Sequence, residues 1–239
     1  CSLFAALGDK QDAKFGRNFD WEHSPALLLF SAPPGRFASV TMVDLSYLGF
    51  SDQELGRLYE LELIERIPLL NASSWPFDGM NERGLAIGMA AVPGSDLAID
   101  PQKPGIGSLE NKRQVLDHAA DIGEAVKIME SYNIDFRGGP DLHYLIADKF
   151  GAAVLVEYVD GSMQTILNNE PWHLATNYHV SAYVQQQGHC ARYEKISETM
   201  LASAGNLDTT AVQRLLAGVS QSSTQWSIIY NLDNGVIQV

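Results

Sequence analysis

Three apolar runs follow one another almost without pause, His143 to Asp148, Ala152 to Val159 and Ser162 to Leu167, and the Asp160-Gly161 pair joins the last two. Asp-Gly between strand-like runs is a strong hairpin signal, because a two-residue turn of the favoured hand needs φ > 0 at its central positions. The rest of the chain repeats the pattern. Ser2 to Leu7, Phe15 to Trp21, Ala26 to Ser31, Ala38 to Leu48, Phe77 to Asn81, Leu85 to Val92, His173 to Asn177 and Gln225 to Leu232 are short apolar segments punctuated by Gly, Pro, Asn and Asp. An Asn234-Gly235 turn precedes Val236 to Val239. These segments read as strands.

Helical spacing interrupts the strands in a few places. Leu55, Leu58, Leu61 and Ile64 or Ile67 recur every three or four residues and predict a helix over Ser51 to Leu70, its charged positions forming a solvated face. Ser108 to Ser131 keeps the spacing too, but Gly123 interrupts it and Asp121 followed by Glu124 is a cap signal, so two helices joined near Asp121 are expected. Two more are predicted at Arg192 to Ala204 and, behind Asp208 as N-cap, at Thr209 to Val219. Strands, then helices, then strands indicate an α+β fold with antiparallel sheets covered by helices. With no repeat and no linker-like stretch, residues 1–239 are expected to form one domain.

Composition excludes several classes of function. A formal net charge of -13 repels phosphate backbones and anionic membrane surfaces, so neither nucleic acid nor membrane is expected as a partner. No apolar stretch approaches the ~20 residues of a membrane-spanning helix. The start shows no charged region followed by an apolar one, so any targeting segment is expected to have been removed or never to have existed. Two cysteines 189 positions apart make neither a disulfide framework nor a C-x-x-C metal site. His173 and His179 do not share a helical face and no H-E-x-x-H occurs, so no metal is expected. Glycine-rich nucleotide signatures are missing as well, and no cofactor is implied.

One of the two cysteines is residue 1. Its sulfur is a nucleophile, and its α-amino group, with an ordinary pKa near 8, can take the thiol proton, so one residue combines nucleophile and base. Competing explanations are a residue left by engineering, a residue exposed by removal of an initiator methionine, and a lipid-modified cysteine. The last calls for a flexible polar tether, whereas Ser2 to Leu7 reads as a buried strand. Arg17 and Asp20 lie on the strand after the first turn and can return beside Cys1. There Asp20 would hold the amine and Arg17 would favour the thiolate, unless the two form only a surface ion pair. Cys190 next to His189 offers a weaker nucleophile-base pair, since such pairs need spatial rather than sequence adjacency.

Taken in order, Cys1 opening a strand, GRNFDW at 16–21, DGMNERGLAIG at 78–88, NKRQVLDHAADIGEAV at 111–126, ATNYH at 175–179, ARYEKI at 191–196 and WSIIYNLDNG at 226–235 make the chain resemble the choloylglycine hydrolase family. These are N-terminal nucleophile amidases that include bile salt hydrolases, penicillin V acylases and acyltransferase-like relatives. The resemblance implies a four-layer αββα sandwich of two antiparallel sheets flanked by helices, with Cys1 at the end of a central strand. It implies Cys1 as nucleophile with Arg17 and Asp20 beside it, Asn81 and Asn177 as the oxyanion hole, and Arg192 as a further active-site arginine. The substrate it implies is a small-molecule N-acyl amide with an apolar acyl group, for which Leu3, Phe19, Trp21 and Phe77 are available; bile acid itself is not expected, since bile salt hydrolases are usually longer. The implied reaction is hydrolysis of a linear, non-peptide C–N bond through a thioester. Acyl transfer from the same thioester, or a binding module with a structural or lipid-modified Cys1, are the alternatives. A homo-oligomer, dimer or tetramer, is also implied. Compartment depends on how Cys1 was exposed, by methionine removal, propeptide self-cleavage or a signal peptidase.

Overall fold

Along the first strand, alternate side chains divide between two cores. Cys1, Leu3 and Ala5 join one buried cluster, while Phe4 and Ala6 join another. This is the period of two that a strand buried on both faces requires. The computed structural model describes residues 1–181 and 190–239. Its first sheet has the order β12-β1-β2-β13-β14, with β1 Ser2–Ala6, β2 Lys14–Asp20, β12 Trp172–Ala175, β13 Thr224–Asn231 and β14 Ile237–Gln238. A second sheet has the order β11-β10-β9-β6-β5-β4-β3, with β3 Ala26–Ser31, β4 Ser39–Asp44, β5 Asp78–Asn81, β6 Leu85–Ala91, β9 Leu142–Asp148, β10 Ala153–Val159 and β11 Ser162–Leu167. Every neighbouring pair in both sheets is antiparallel. The Asp160-Gly161 hairpin has φ of 52° and 74°, as its turn type demands.

The sheets face each other across the larger core, where Leu3 and Phe15 close on Gly88, and Leu145, paired with Gly88, lies on the same face of the second sheet. Helices Ala191–Ser203 and Thr209–Gly218 cover the outside of the first sheet through Ile196, Met200, Val212 and Leu216 against Phe4, Leu174 and Ile229. Helices Ser108–His118 and Ile122–Glu130 cover the second, sending Val115, Leu116, Ala125 and Met129 inward. The layers run helix, sheet, sheet, helix. Asp121 caps the second of these helices by accepting from the Glu124 N–H at 2.9 Å, and Glu124 reaches back to the Ala120 N–H at 2.8 Å. Asp208 likewise accepts from the Ala211 N–H at 2.7 Å.

Two expectations need correction, and one pair of strands has no counterpart in the sequence reading. The helix over Ser51 to Leu70 lasts one turn, Asp52–Leu55, started by a capping box between Ser51 and Glu54 and stopped at Gly56. Two short 3₁₀ segments, Leu58–Glu60 and Ile67–Ser74, take its place, with Pro68 in the first turn of the latter. Glycine and proline outweigh leucine periodicity here, and Tyr59, Leu63, Ile64 and Leu70 are left exposed. The strand expected to reach Leu48 stops at Asp44, whose carboxylate accepts from the Ser46 N–H at 2.9 Å and turns the chain into a 3₁₀ helix, Leu45–Leu48. A small parallel pair, β7 Gly105–Gly107 with β8 Asn133–Asp135, was not expected.

Candidate active site

The β1–β2 hairpin builds the centre of the site. Ser2 pairs with Asn18 and Leu3 with Arg17, so Cys1 arrives opposite Phe19 with Asp20 one step further. The Cys1 amine lies 3.1 Å from Asp20 Oδ2. Because Arg17 shares a face of β2 with Phe15 and Phe19, its side chain points between the sheets, where Nη2 donates to Cys1 Sγ at 3.5 Å and to the Met89 carbonyl at 3.1 Å. Its Nη1 meets Asp78 Oδ2 at 2.8 Å, and the guanidinium lies over the Phe19 ring. Asp78 also accepts from Trp226 Nε1 at 3.0 Å and from the Tyr230 hydroxyl at 2.5 Å. A wholly buried arginine is thereby paired and hydrogen-bonded, the condition under which burying a charge is tolerated, and its Nη2 is shared between the Met89 carbonyl and the sulfur.

Two residues from the other side of the sheet complete the setting of the amine. Asn177, just past β12, accepts from the Cys1 amine at Oδ1 (2.5 Å) and from Arg192 Nη2 (3.0 Å), and its Nδ2 donates to the Ala91 carbonyl (2.9 Å). Arg192, in the first turn of its helix, donates from Nη1 to the Cys1 carbonyl, to Ser2 Oγ at 3.1 Å and to Asp20 Oδ2 at 3.4 Å. Burial lowers the pKa of the amine, Arg192 and Arg17 lower it further, and Asp20 offsets only part of this, leaving it at about 5 instead of 8. A neutral amine at physiological pH is a competent proton acceptor. Burial would raise the Asp20 carboxyl, but hydrogen bonds from Thr224 and Gln221 and the nearby amine bring it below its ordinary value, so it stays ionised.

Beside Cys1 opens a cavity of about 310 Å³. Phe19, Trp21, Tyr47, Trp75, Phe77, Met89, Leu109 and Leu142 make its walls apolar, and Glu110, Asp135 and Arg137 are its charged residues. The Trp75 indole N–H donates to Glu110 at 2.7 Å, fixing both. Phe77, Phe19 and Trp226 stack in series, the first two edge to face and the last two face to face.

A family model for linear amide C–N hydrolases of the choloylglycine hydrolase family matches residues 1–219. The chain belongs to that family. Among curated proteins no sequence matches it. Among solved structures it is similar to penicillin V acylase from Agrobacterium tumefaciens, with 19% identity, a TM-score of 0.66, and 99% of this chain covering 81% of that one. It is similar also to a variant of the conjugated bile acid hydrolase from Clostridium perfringens, with 16% identity, a TM-score of 0.70, and 99% of this chain covering 88% of that one. The Caenorhabditis elegans ortholog of N-acylethanolamine-hydrolyzing acid amidase is 12% identical, with a TM-score of 0.62 and 98% of this chain covering 93% of it. The αββα sandwich is thus the fold of this amide hydrolase.

In this family member the structure gathers Cys1, Arg17, Asp20, Asn177 and Arg192, but not Asn81. Asn81 ends β5, and its Nδ2 donates to the Leu116 and Ala119 carbonyls at 3.0 and 2.8 Å while its Oδ1 accepts from the Arg83 and Leu85 N–H groups. It closes the β5–β6 turn and the end of a helix. The site lies at the other end of β6, six residues on and roughly 20 Å away at ~3.3 Å per residue. Asn81 is therefore not an oxyanion donor. That far end of β6 supplies a different group. The Val92 N–H bonds to Asp141 of the β9 side, and ladder bonds alternate along a strand, so Met89 and Ala91 turn their N–H and C=O groups away from β9. On that edge the Met89 carbonyl takes Arg17 and the Ala91 carbonyl takes Asn177. The Ala91 N–H shares the edge, and Ala91 lines the cavity with Cys1.

Leu3 packs wholly between the sheets and does not line the cavity. His189 lies outside the described residues, so the His189–Cys190 pairing does too; Cys190 is half-buried with Thr176 Oγ1 3.4 Å from its sulfur. His173 and His179 serve the backbone, at the Ile166 and Gly94 carbonyls. Among the described residues no helix is long and apolar enough to cross a membrane. Asp78, Trp226, Tyr230 and Ala91 escaped sequence reasoning as site residues. The local trace of the first of them is an acid embedded in an apolar strand, Phe77-Asp78-Gly79-Met80.

Proposed function

We propose that the protein hydrolyses a linear N-acyl amide whose acyl group is apolar, with Cys1 as nucleophile and its own free α-amino group as base. The observation that carries this is the amine itself, held between Asp20 and Asn177 and depressed to about 5 within the same residue as a cavity-lining thiol. The thiol proton passes to the amine, and sulfur attacks the carbonyl carbon seated over it. Charge gathers on the carbonyl oxygen. Asn177 Nδ2 uses one of its two N–H groups on Ala91 and has a second to give, and the Ala91 N–H lies on the same edge; together they form the oxyanion hole. The protonated amine then gives its proton to the leaving nitrogen, the C–N bond breaks, and a thioester remains. Water, deprotonated by the same amine, attacks that thioester and releases the acid and the free thiol.

Arg17, donating to the sulfur, steadies the negative charge that develops there as the proton leaves. Asp20 fixes the amine and Arg192 ties the Cys1 carbonyl to Asn177. Aromatic walls favour an apolar acyl chain. Penicillin V and conjugated bile acids, named in the structural neighbours, are starting points for a substrate panel rather than assignments. The test is amine release from a panel of N-acyl amides differing in acyl group. Cys1→Ala should abolish release while leaving the cooperative unfolding transition in place, and activity surviving that change would end the proposal.

A further inference from the structure

Asn177 stands where no ladder holds it, since the pairing of β12 with β1 ends at Ala175. A cluster of buried polar groups behind it does the holding. His143 on β9 and Glu157 on β10 are both fully buried. Nδ1 of His143 is 3.1 Å from Glu157 Oε1, and Nε2 is 2.7 Å from the carbonyl of Thr176, the residue before Asn177. Glu157 in turn grips the chain after Asn177, accepting from the Val180 N–H at 2.7 Å, the Ser181 N–H at 3.0 Å and the Ser181 hydroxyl at 2.6 Å. His179 Nε2 donates to the Gly94 carbonyl at 2.7 Å, tying the same segment to the chain that follows Ala91. One carboxylate thus clamps the backbone on both sides of Asn177, directly behind it and through an imidazole before it.

An apolar pair would fill the space between the second sheet and the chain around Asn177 without stripping water from a carboxylate, so the buried pair is costly as mere packing. Burial would raise the Glu157 carboxyl, yet its hydrogen bonds from His143, Ser181 and Val180 hold it at about 2, and it stays ionised through the working range. We infer that Glu157, acting with His143, is a positioning residue for Asn177: it sets the angle at which Asn177 meets the Cys1 amine and the reacting carbonyl. The inference rests on the role given to Asn177 above. Neither residue touches the cavity.

The experiment is a double-mutant cycle on the whole chain, with kcat and KM measured by amine release and the folded fraction taken from denaturation curves. Glu157→Gln keeps the shape but turns an amide NH₂ toward N–H groups that need an acceptor. A displaced reacting group costs up to about a hundredfold, so kcat should fall on the order of tenfold to a hundredfold, with KM changed less than about twofold. In an Asn177→Ala background the same change should cost less than about twofold, because residues acting through one another do not add. A merely structural Glu157 would give the full loss in both backgrounds, and that result overturns the inference. Ser181→Ala removes one exposed donor to the same carboxylate and carries the test if Glu157→Gln does not fold: about threefold expected alone, none without Asn177. No effect of Ser181→Ala or Glu157→Gln on kcat also overturns it. Asn177→Ala with unchanged kcat would instead remove the premise, and so separates failure of the proposed mechanism from failure of the positioning role.

Discussion

The Cys1 amine should report its own environment through the pH dependence of catalysis. For a base that must be neutral, kcat/KM falls as pH drops through the pKa of the free enzyme, here about 5. Arg192→Met removes a positive charge while keeping an apolar stem. Both the amine and Arg192 Nη2 bond to Asn177 Oδ1, at 2.5 and 3.0 Å, so they lie no more than about 5.5 Å apart. Two unit charges at that distance repel by about 3 kcal/mol at an effective dielectric of about 20 and about 0.8 kcal/mol in water. At about 1.4 kcal/mol per unit, the amine pKa should rise by between half a unit and two units. Arg192 is 21% exposed, which places the expectation near one unit, so the acid limb moves from about 5 to about 6. The variant will lose rate at every pH through its broken contacts to Cys1 and Asn177, but the loss at pH 5 should be about fivefold larger than at pH 7.5. Amine release measured from pH 4 to 9 decides it. An acid limb that stays in place, or moves downward, refutes the electrostatic account of the amine.

Extending the chain by one residue before Cys1 converts the amine into an amide; we expect loss of hydrolysis with an unchanged fold, checked by activity and circular dichroism. The amine also links stability to pH: it is neutral when folded and protonated when unfolded between pH 5 and 8, so the unfolded chain binds the extra proton and stability rises with pH. Between 6.5, the ordinary histidine value and below which His173 also contributes, and 8.0, the gain should be about 1.6 kcal/mol, and denaturant titrations at the two pH values that show no gain would contradict it. Gly88→Ala would set a methyl group against Leu3 and Phe15 where the sheets face each other, and should cost on the order of 1–3 kcal/mol by thermal or chemical unfolding. Trp75→Phe removes the indole bond to Glu110 and should change KM across a substrate panel by several-fold while leaving the acid limb at about 5.

What the sequence made legible is what lies close together along it. A hairpin with residues 7–13 in its loop brings residue 1 back to residues 17 and 20 by simple pairing, so Arg17 and Asp20 follow from Cys1 once the first two strands are read. Cap signals at Asp121 and Asp208 are likewise local and hold in the structure. Asp78 meets Arg17 only because two sheets are stacked, and no local pattern encodes a stack. Asn81 misled for a related reason: asparagine in a turn and asparagine in an oxyanion hole look alike in sequence, and only its bonds to Leu116 and Ala119 separate them. Glu157 sits in an otherwise apolar strand, AVLVEYV, and its meaning emerges only when Val180 and Ser181 fold back over it. The failed helix after Ser51 shows leucine spacing overruled by Gly56 and Pro68.

The cavity draws its residues from several kinds of structure. Phe19, Phe77 and Met89 to Ala91 belong to the sheets or their immediate ends and lie with Cys1, Tyr47 and Trp75 belong to the 3₁₀ segments or their ends, and Gly107 to Glu110, Asp135 and Arg137 to Pro140 belong to a helix start and to the chain around the small β7–β8 pair. Part of the cavity wall is therefore separable from the β1–β2 pairing that places Cys1. Lengthening or reshaping the segments outside the two large sheets leaves that pairing intact, so the cavity can change shape without moving Cys1, Arg17 or Asp20 relative to one another.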